Sequence, residues 1–311
     1  MALVTTKEMF KKAYAEKYSI GAFNVDSVDI MQGVVDGAVR AKSPVILAVS
    51  GRMMDSVPYI VQACKAAARD NDIPIALHLD HGKSVELCKR CVDAGFTSVM
   101  IDASLHPFEE NVRLTREVVE YAHDHGVVVE SELGVVTGKE EDIAVAGKYG
   151  QFTRPADVEE FVSKTGLDSL AVSIGTAHGA YKYQEGETPY LRFDILEEIE
   201  QKLPGFPLVL HGASSIPKNT LDVFNEYGGK LPHAIGIPED MLRKASEKAV
   251  CKINVASDLR ICYFGELRRQ FALKPDKWDA REFLVPARNA VADLVYDRLV
   301  NVMGSAEKAT K

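Results

Sequence analysis

The residues of this chain best suited to chemistry are three histidines, each followed by a glycine: His81-Gly82, His178-Gly179 and His211-Gly212. The first closes the stretch Ala76-Leu77-His78-Leu79-Asp80-His81-Gly82. That stretch alternates like a buried strand and ends by presenting a carboxylate and an imidazole where a strand gives way to a loop. Neutral imidazole is a borderline-soft nitrogen donor, and three of them with an open fourth position form a common catalytic zinc site that also suits cobalt or iron. Taken alone, each histidine reads equally as a hydrogen-bonded strand end, so the chemistry depends on whether the fold brings the three together.

The elements that would do so are legible as an alternation. Strand-like runs fall at 20–25, 44–50, 74–80, 98–102, 127–133, 169–174, 207–211 and 251–256. Segments with helical spacing lie between and after them, at 28–42, 57–70, 85–94, 108–125, 156–165, 195–202, 219–227 and 239–249. Strict alternation of this kind is the pattern of parallel α/β architecture, and eight repeats predict a closed (β/α)8 TIM barrel; an open doubly wound sheet is the alternative. Ser56 before Val57-Pro58, and Pro107 before Phe108-Glu109-Glu110, supply helix start signals. Runs at 259–272 and 281–303 read as two further helices. The expected organisation is one domain over 1–311, with the barrel over about 1–257, a helical appendage over about 258–304 and a disordered tail from Gly304 onward.

In a barrel of this type the active site lies at the C-terminal strand ends, and the unusual polar residues collect there. Asn24 ends the first run, Ser50 the second, Asp80 and His81 the third, Asp102 the fourth, and Glu130 and Glu132 the fifth. The sixth leads into Gly175-Thr176-Ala177-His178-Gly179, the seventh into His211-Gly212-Ala213-Ser214, and the eighth into Asn254-Val255-Ala256-Ser257. Loops after the late strands of such barrels often hold phosphate. Gly179, Lys182, Gly212, Ser214, Asn254 and Ser257 form a candidate cradle, with Lys182 as point charge and hydroxyls and backbone N–H groups giving direction. The remaining histidines, at 78, 106, 123, 125 and 233, read as structural.

Composition sets the outer bounds. The 311 residues are 46% hydrophobic and 26% charged, an ordinary globular profile, and a net charge of −8 argues against a general nucleic-acid surface. The N-terminus lacks the basic and apolar regions of a signal peptide, and no apolar run is long enough to span a bilayer, so a cytoplasmic protein is expected. Five cysteines at scattered spacings suit a reducing compartment; Cys88-Lys-Arg-Cys91, the only close pair, reads as part of a helix rather than as a zinc or redox site.

Seven motifs in order resemble the class II, metal-dependent fructose-bisphosphate aldolases, a family that includes tagatose-bisphosphate aldolases. They are Gly21-Ala22-Phe23-Asn24, His78-Leu79-Asp80-His81, Met100-Ile101-Asp102-Ala103-Ser104, Glu130-Ser131-Glu132-Leu133-Gly134, Gly175-Thr176-Ala177-His178-Gly179, His211-Gly212-Ala213-Ser214 and Lys252-Ile253-Asn254-Val255. The resemblance implies Zn2+, or Co2+ or Fe2+, on His81, His178 and His211, with a monovalent cation as an accompanying ion. It also implies Asp80 as acid/base for the C4 oxygen of a ketose bisphosphate, the ion polarising the substrate carbonyl. The family carries the base for the C3 proton on a mobile loop after the fifth strand, and counting from Glu132 the matching residue is Glu140. Asp102 and Glu132 match positions of a second or alternative metal site, while on physical grounds either could equally be a carboxylate that orients a histidine. No lysine ends a predicted strand to form a Schiff base. A homodimer or homotetramer acting on small sugar phosphates is the implied assembly and substrate class.

Three departures bear on substrate. Ala48 stands where the family frequently has glutamine, ahead of Ser50 and an unusual Gly51-Arg52-Met53-Met54. Ala256 stands where fructose-bisphosphate members commonly carry Asp or Asn, which makes Asn254-Val255-Ala256-Ser257 resemble the tagatose-bisphosphate branch. The Asp-Pro-Arg motif, whose arginine would bind substrate, is Asp279-Ala280-Arg281. The reaction expected is cleavage of fructose 1,6-bisphosphate, with tagatose 1,6-bisphosphate or another ketose 1-phosphate as alternative. A non-catalytic aldolase partner subunit and a zinc hydrolase on the same barrel are the remaining readings.

Overall fold

The computed structural model describes residues 2–140, 143–145, 152–179, 190–231 and 236–309. Their strands, in chain order, are β1 (Ile20–Asn24), β2 (Val45–Ser50), β3 (Ile75–Gly82), β4 (Ser98–Ile101), β5 (Val128–Leu133), β6 (Thr137–Glu140), β7 (Ile143–Val145), β8 (Ser169–Val172), β9 (Ala177–His178), β10 (Leu208–Leu210) and β11 (Val250–Val255). Eight of them close a parallel barrel in the order β1-β11-β10-β8-β5-β4-β3-β2. The closed barrel, and not the open sheet, is therefore the architecture, sealed where Ala22 of β1 stands opposite Asn254 of β11. The apolar runs form strands because both faces are buried: residues such as Phe23, Leu47, Leu77 and Val99 pack outward under the helices.

The helices begin and end where local chemistry directs. Ser27 and Ser84 accept hydrogen bonds from the N–H groups of Ile30 and Leu87, capping the helices Val28–Ala41 and Val85–Ala94. Pro107 precedes Phe108–Asp124, with Glu109 and Glu110 in the first turn as expected. The helix at Val57–Asp70 also starts where expected, but a 3-10 turn over Gly51–Ser56 leads into it.

Three features lay outside the sequence expectation. A helix at Thr6–Glu16 places Met9, Phe10 and Ala13 against Ile20, Ala22, Ile46, Ala76 and Cys251, stopping the N-terminal mouth of the barrel with an apolar plug. Strands β6, β7 and β9 form a small separate sheet over the opposite mouth. The tail is ordered through Ala309: the N–H groups of Glu307 and Ala309 donate to the carbonyls of Ala41 and Lys42, and Ser305 is fully buried against Ser43. A short polar sequence gave no sign of these long-range backbone bonds, so the expectation of a disordered tail is corrected. No described helix is long and apolar enough to cross a membrane.

The C-terminal helices, Ser257–Leu273 and Arg281–Asp297, pack on the barrel rather than hanging from it; the second ends in a π-helical turn, Arg298–Met303. Arg281–Asp297 lies against Val28–Ala41 at two glycines. A Cβ on Gly37 would stand 2.6 Å from the carbonyl oxygen of Ala292 and 2.8 Å from Cβ of Val295. Gly37→Ala should therefore force the helices apart and cost about 1–3 kcal/mol of stability, read as a melting temperature lower by several degrees. An unchanged melting temperature would mean the contact is softer than its distances imply.

Candidate active site

The rim of the barrel is assembled by one bulge. In a regular strand Asp80 and His81 would point to opposite sides of the sheet. Along β3 and β4, however, Leu79 pairs with Val99 and Gly82 with Ile101, which leaves one extra residue on β3. His81 takes up that residue with φ of +48°, a left-handed conformation that costs a β-strand side chain energy and recurs at functional sites. Both side chains are then buried at the same rim.

The second approach is steric. Gly212 has φ of +60°, and a Cβ there would lie 2.6 Å from the carbonyl carbon of Ala177. Only glycine lets the turn after β10 pass this close to β9, so His211 and His178, from separate strands, come together with His81. The ring centroids lie 4.5 Å apart for His81 and His211, 5.2 Å for His81 and His178, and 6.4 Å for His178 and His211.

Each outer nitrogen of the His81–His211 pair is committed. The Nδ1–H of His81 donates to Oδ2 of Asp102 at 2.8 Å, and the Nε2–H of His211 donates to Oε1 of Glu130 at 2.8 Å. Carboxylates accept only, so each of these outer nitrogens carries its proton. The inner nitrogens, Nε2 of His81 and Nδ1 of His211, lie 2.9 Å apart. In neutral rings these inner nitrogens are the ones that can donate a lone pair to a cation. Burial, with the positive groups around it, holds His211 well below the usual histidine range, which keeps it a neutral donor. Asp80, His81 and His211 bring ligand atoms within 4.8 Å of one another, as do His81, Asp102 and Glu132, so the donor set and spacing fit a divalent metal.

The surrounding carboxylates differ in state. Burial opposes ionisation of Asp102, but its bond to His81 and those from Ser104 prevail and hold it well below the usual carboxylate range. Burial, reinforced by the charge of Asp102, pushes Glu132 up to about 8. Asp80 is cradled instead: the amide of Asn24 donates to its Oδ2 and that of Asn254 to its Oδ1, both at 2.8 Å. The amide oxygens of Asn24 and Asn254 are buried and accept no hydrogen bond from the described residues. Asn254, expected in the phosphate cradle, thus contacts the carboxylate of Asp80.

Ser50, Ser214 and Ala256 are buried at the rim, with Ser257 beside Ala256 at the start of its helix. Gly179 ends a described segment with φ of +89°. Lys182 and His233 lie outside the described residues. Glu140 ends β6, whose Gly138 pairs with His178 of β9, so the segment expected as a loop has strand pairing; its side chain is not described. Arg281 is not brought to the rim: it is 85% exposed and its guanidinium is held by Asp279. Cys88 and Cys91 are buried helix residues in no disulfide; burial raises both, Cys91 to about 12, which leaves neither reactive. His78, read as structural, is fully buried inside the barrel, and Lys252 beside it was not foreseen as part of the site. A lysine within the buried run Val250-Cys251-Lys252-Ile253 was the available signal, because a lysine there needs a partner.

The model for class II fructose-bisphosphate aldolases matches residues 4–308. The chain belongs to the class II fructose-bisphosphate aldolase family. Two relatives named fructose-bisphosphate aldolase, from Giardia intestinalis and Treponema pallidum, are each 45% identical over 99% of this chain and cover 95% and 98% of their own lengths. Among solved structures, the YdjI aldolase from Escherichia coli K12 superposes with a TM-score of 0.80 at 29% identity, covering 99% of this chain and all of that one. As a member of this aldolase family the chain is a carbon–carbon lyase, and its buried cluster of histidine and aspartate is able to coordinate a divalent metal.

The amide cradle yields a test. Removing either donor leaves one Asp80 oxygen without its hydrogen bond, and a bond to a charged group is worth about 1.5–3 kcal/mol. Asn24→Ala and Asn254→Ala should each lower kcat of aldol cleavage roughly ten- to a hundredfold while bound metal stays stoichiometric. Metal loss in either variant would show that the amides support the ion rather than Asp80.

Proposed function

We propose that the chain reversibly cleaves fructose 1,6-bisphosphate to dihydroxyacetone phosphate and glyceraldehyde 3-phosphate, with a zinc ion held by His81, His178 and His211. The observation that carries this reading is the pair of imidazoles whose inner nitrogens lie 2.9 Å apart, each ring held from behind by a carboxylate. When bound, such an ion polarises the substrate carbonyl and stabilises the negative charge that develops on its oxygen. The names of the Giardia and Treponema relatives support fructose 1,6-bisphosphate as the substrate.

Asp80 moves the C4 proton. In the cleavage direction it takes the proton from the C4 hydroxyl; that O–H pair becomes the second bond of the aldehyde carbonyl, and the C3–C4 bond pair passes to the triose fragment. Glu140 returns a proton to C3 of that fragment, and in the synthetic direction each transfer reverses. Gly179, Lys182, Gly212, Ser214 and Ser257 take a substrate phosphate, Asn24 and Asn254 hold Asp80, and Ser50 contacts the rest of the substrate. The reaction takes place in the cytoplasm, where the five buried thiols stay reduced. The enzyme works as a homodimer or homotetramer; exposed Phe264, Phe271, Leu273 and Trp278 on and beside the C-terminal helices offer apolar surface for that contact.

Chelation should leave negligible turnover that zinc or cobalt restores. Asp80→Ala should abolish cleavage and keep its metal, whereas His211→Ala should lose metal and activity together. Full turnover by the metal-free protein would overturn the reading.

Tagatose 1,6-bisphosphate is the second reading, and Ala256 favours it. The residue lies at the end of β11, 5% exposed, and offers a methyl group where a carboxylate or amide could bond a sugar hydroxyl. Fructose and tagatose bisphosphates differ only at C4. One neutral hydrogen bond is worth on the order of 0.5–1.5 kcal/mol, so the wild type should separate the two sugars by no more than roughly tenfold in kcat/KM. Ala256→Asp should shift that ratio towards fructose bisphosphate. A wild-type preference of several orders of magnitude, or a ratio unmoved by the substitution, would place discrimination elsewhere.

A further inference from the structure

Inside the barrel, directly beneath the rim, lies a buried charged pair. Lys252 is completely buried, and its ammonium donates to both oxygens of Glu130 at 2.9 Å each and to Nε2 of His78 at 3.3 Å. The Nδ1–H of His78 donates in turn to the hydroxyl of Ser98 at 2.8 Å, so the tier is satisfied from β3, β4, β5 and β11. Glu130 is 1% exposed, and Oε1, one of the two oxygens held by the lysine, is also the atom that accepts the Nε2–H of His211. A line of hydrogen bonds therefore runs from Lys252 through Glu130 to His211, whose inner nitrogen faces His81.

We infer that Lys252 is a positioning residue for the metal centre: by gripping both oxygens of Glu130 it holds Oε1 against Nε2 of His211, and so holds that ring with Nδ1 turned toward His81 and the ion site. A lysine suits this work: its compact ammonium, with three rotatable donors, spans both carboxylate oxygens and His78 at once. The lysine itself is enclosed by these acceptors within the strand, below the rim where substrate would bind.

The inference rests on the metal reading above, so zinc affinity is the measurement that tests it, by competition against a chelator of known strength. In Lys252→Met the dissociation constant for zinc should rise about ten- to a hundredfold, the usual effect of losing an outer partner of a metal ligand. In the double variant Lys252→Met/Glu130→Gln no charge remains in the tier, and the glutamine carbonyl can accept from Nε2 of His211 without a cation. Its affinity should return to within a few-fold of the wild type, a recovery that a purely structural lysine would not produce. If Lys252→Met alone does not fold, near-wild-type affinity in the double variant supports the assignment and a loss of tenfold or more overturns it. Tight zinc binding by the wild type with an unchanged constant in Lys252→Met overturns the role of Lys252 alone, whereas a wild type that takes up no stoichiometric zinc overturns the metal centre itself.

Discussion

The ion pair between Glu130 and Lys252 is the constraint on which the interior of this barrel depends. Moving a carboxylate and an ammonium out of water costs several kcal/mol per ion, and their attraction repays that only when hydrogen bonds satisfy the rest of both groups. Here those bonds are supplied: both carboxylate oxygens meet the ammonium, one also meets His211, and His78 takes a further N–H. The arrangement divides the barrel into tiers. Below it lies the apolar plug built with the helix Thr6–Glu16, and above it the rim of histidines and carboxylates. Replacing such a buried pair by apolar side chains of similar volume is often neutral or stabilising, but it would leave Nε2 of His211 without its carboxylate acceptor.

The rim shows the same trade of stability for geometry. His81 is held in a left-handed conformation by the bulge in β3, and Gly212 by its passage against β9. Each is a local cost, carried because the flanking strands are buried and fully paired. The result brings imidazoles from three different strand ends into contact, with Asp102 behind one and Glu130 behind another. Asp80 is kept distinct from its neighbours by two amides that donate to it, so the carboxylate proposed as the acid/base is held by neutral groups instead of by a fixed cation.

The C-terminal segment locks the frame. Arg298, 1% exposed, donates to the carbonyl of Ser215 and lies 3.5 Å from Asp258, which accepts the N–H of that same Ser215. The turn that follows His211 is thereby gripped at both the N–H and the carbonyl of one residue. The helix Arg281–Asp297 and the ordered tail to Ala309 hold this arginine against the barrel, which is why they behave as part of the scaffold.

The sequence by itself determined the eight barrel strands, most helix boundaries, the family, and the set of polar residues at the rim. Those features rest on local rules: buried parallel strands are continuous apolar runs, helices have a 3.6-residue period, and serine caps act within four residues. Asn24, Asp80, His81, Asp102, Glu132, His178 and His211 were all legible because each stands where an apolar run ends. Tertiary structure alone decided what those residues face. The bulge that turns His81 beside Asp80 depends on pairing with β4, and His211 is held by Glu130, which is held in turn by Lys252, 122 residues further along the chain from Glu130. The docked tail and the amphipathic floor helix likewise took their form from partners distant in sequence. Local periodicity carries no record of which buried charge will meet which; that is fixed only when the strands close into a barrel and exclude water from the space between them.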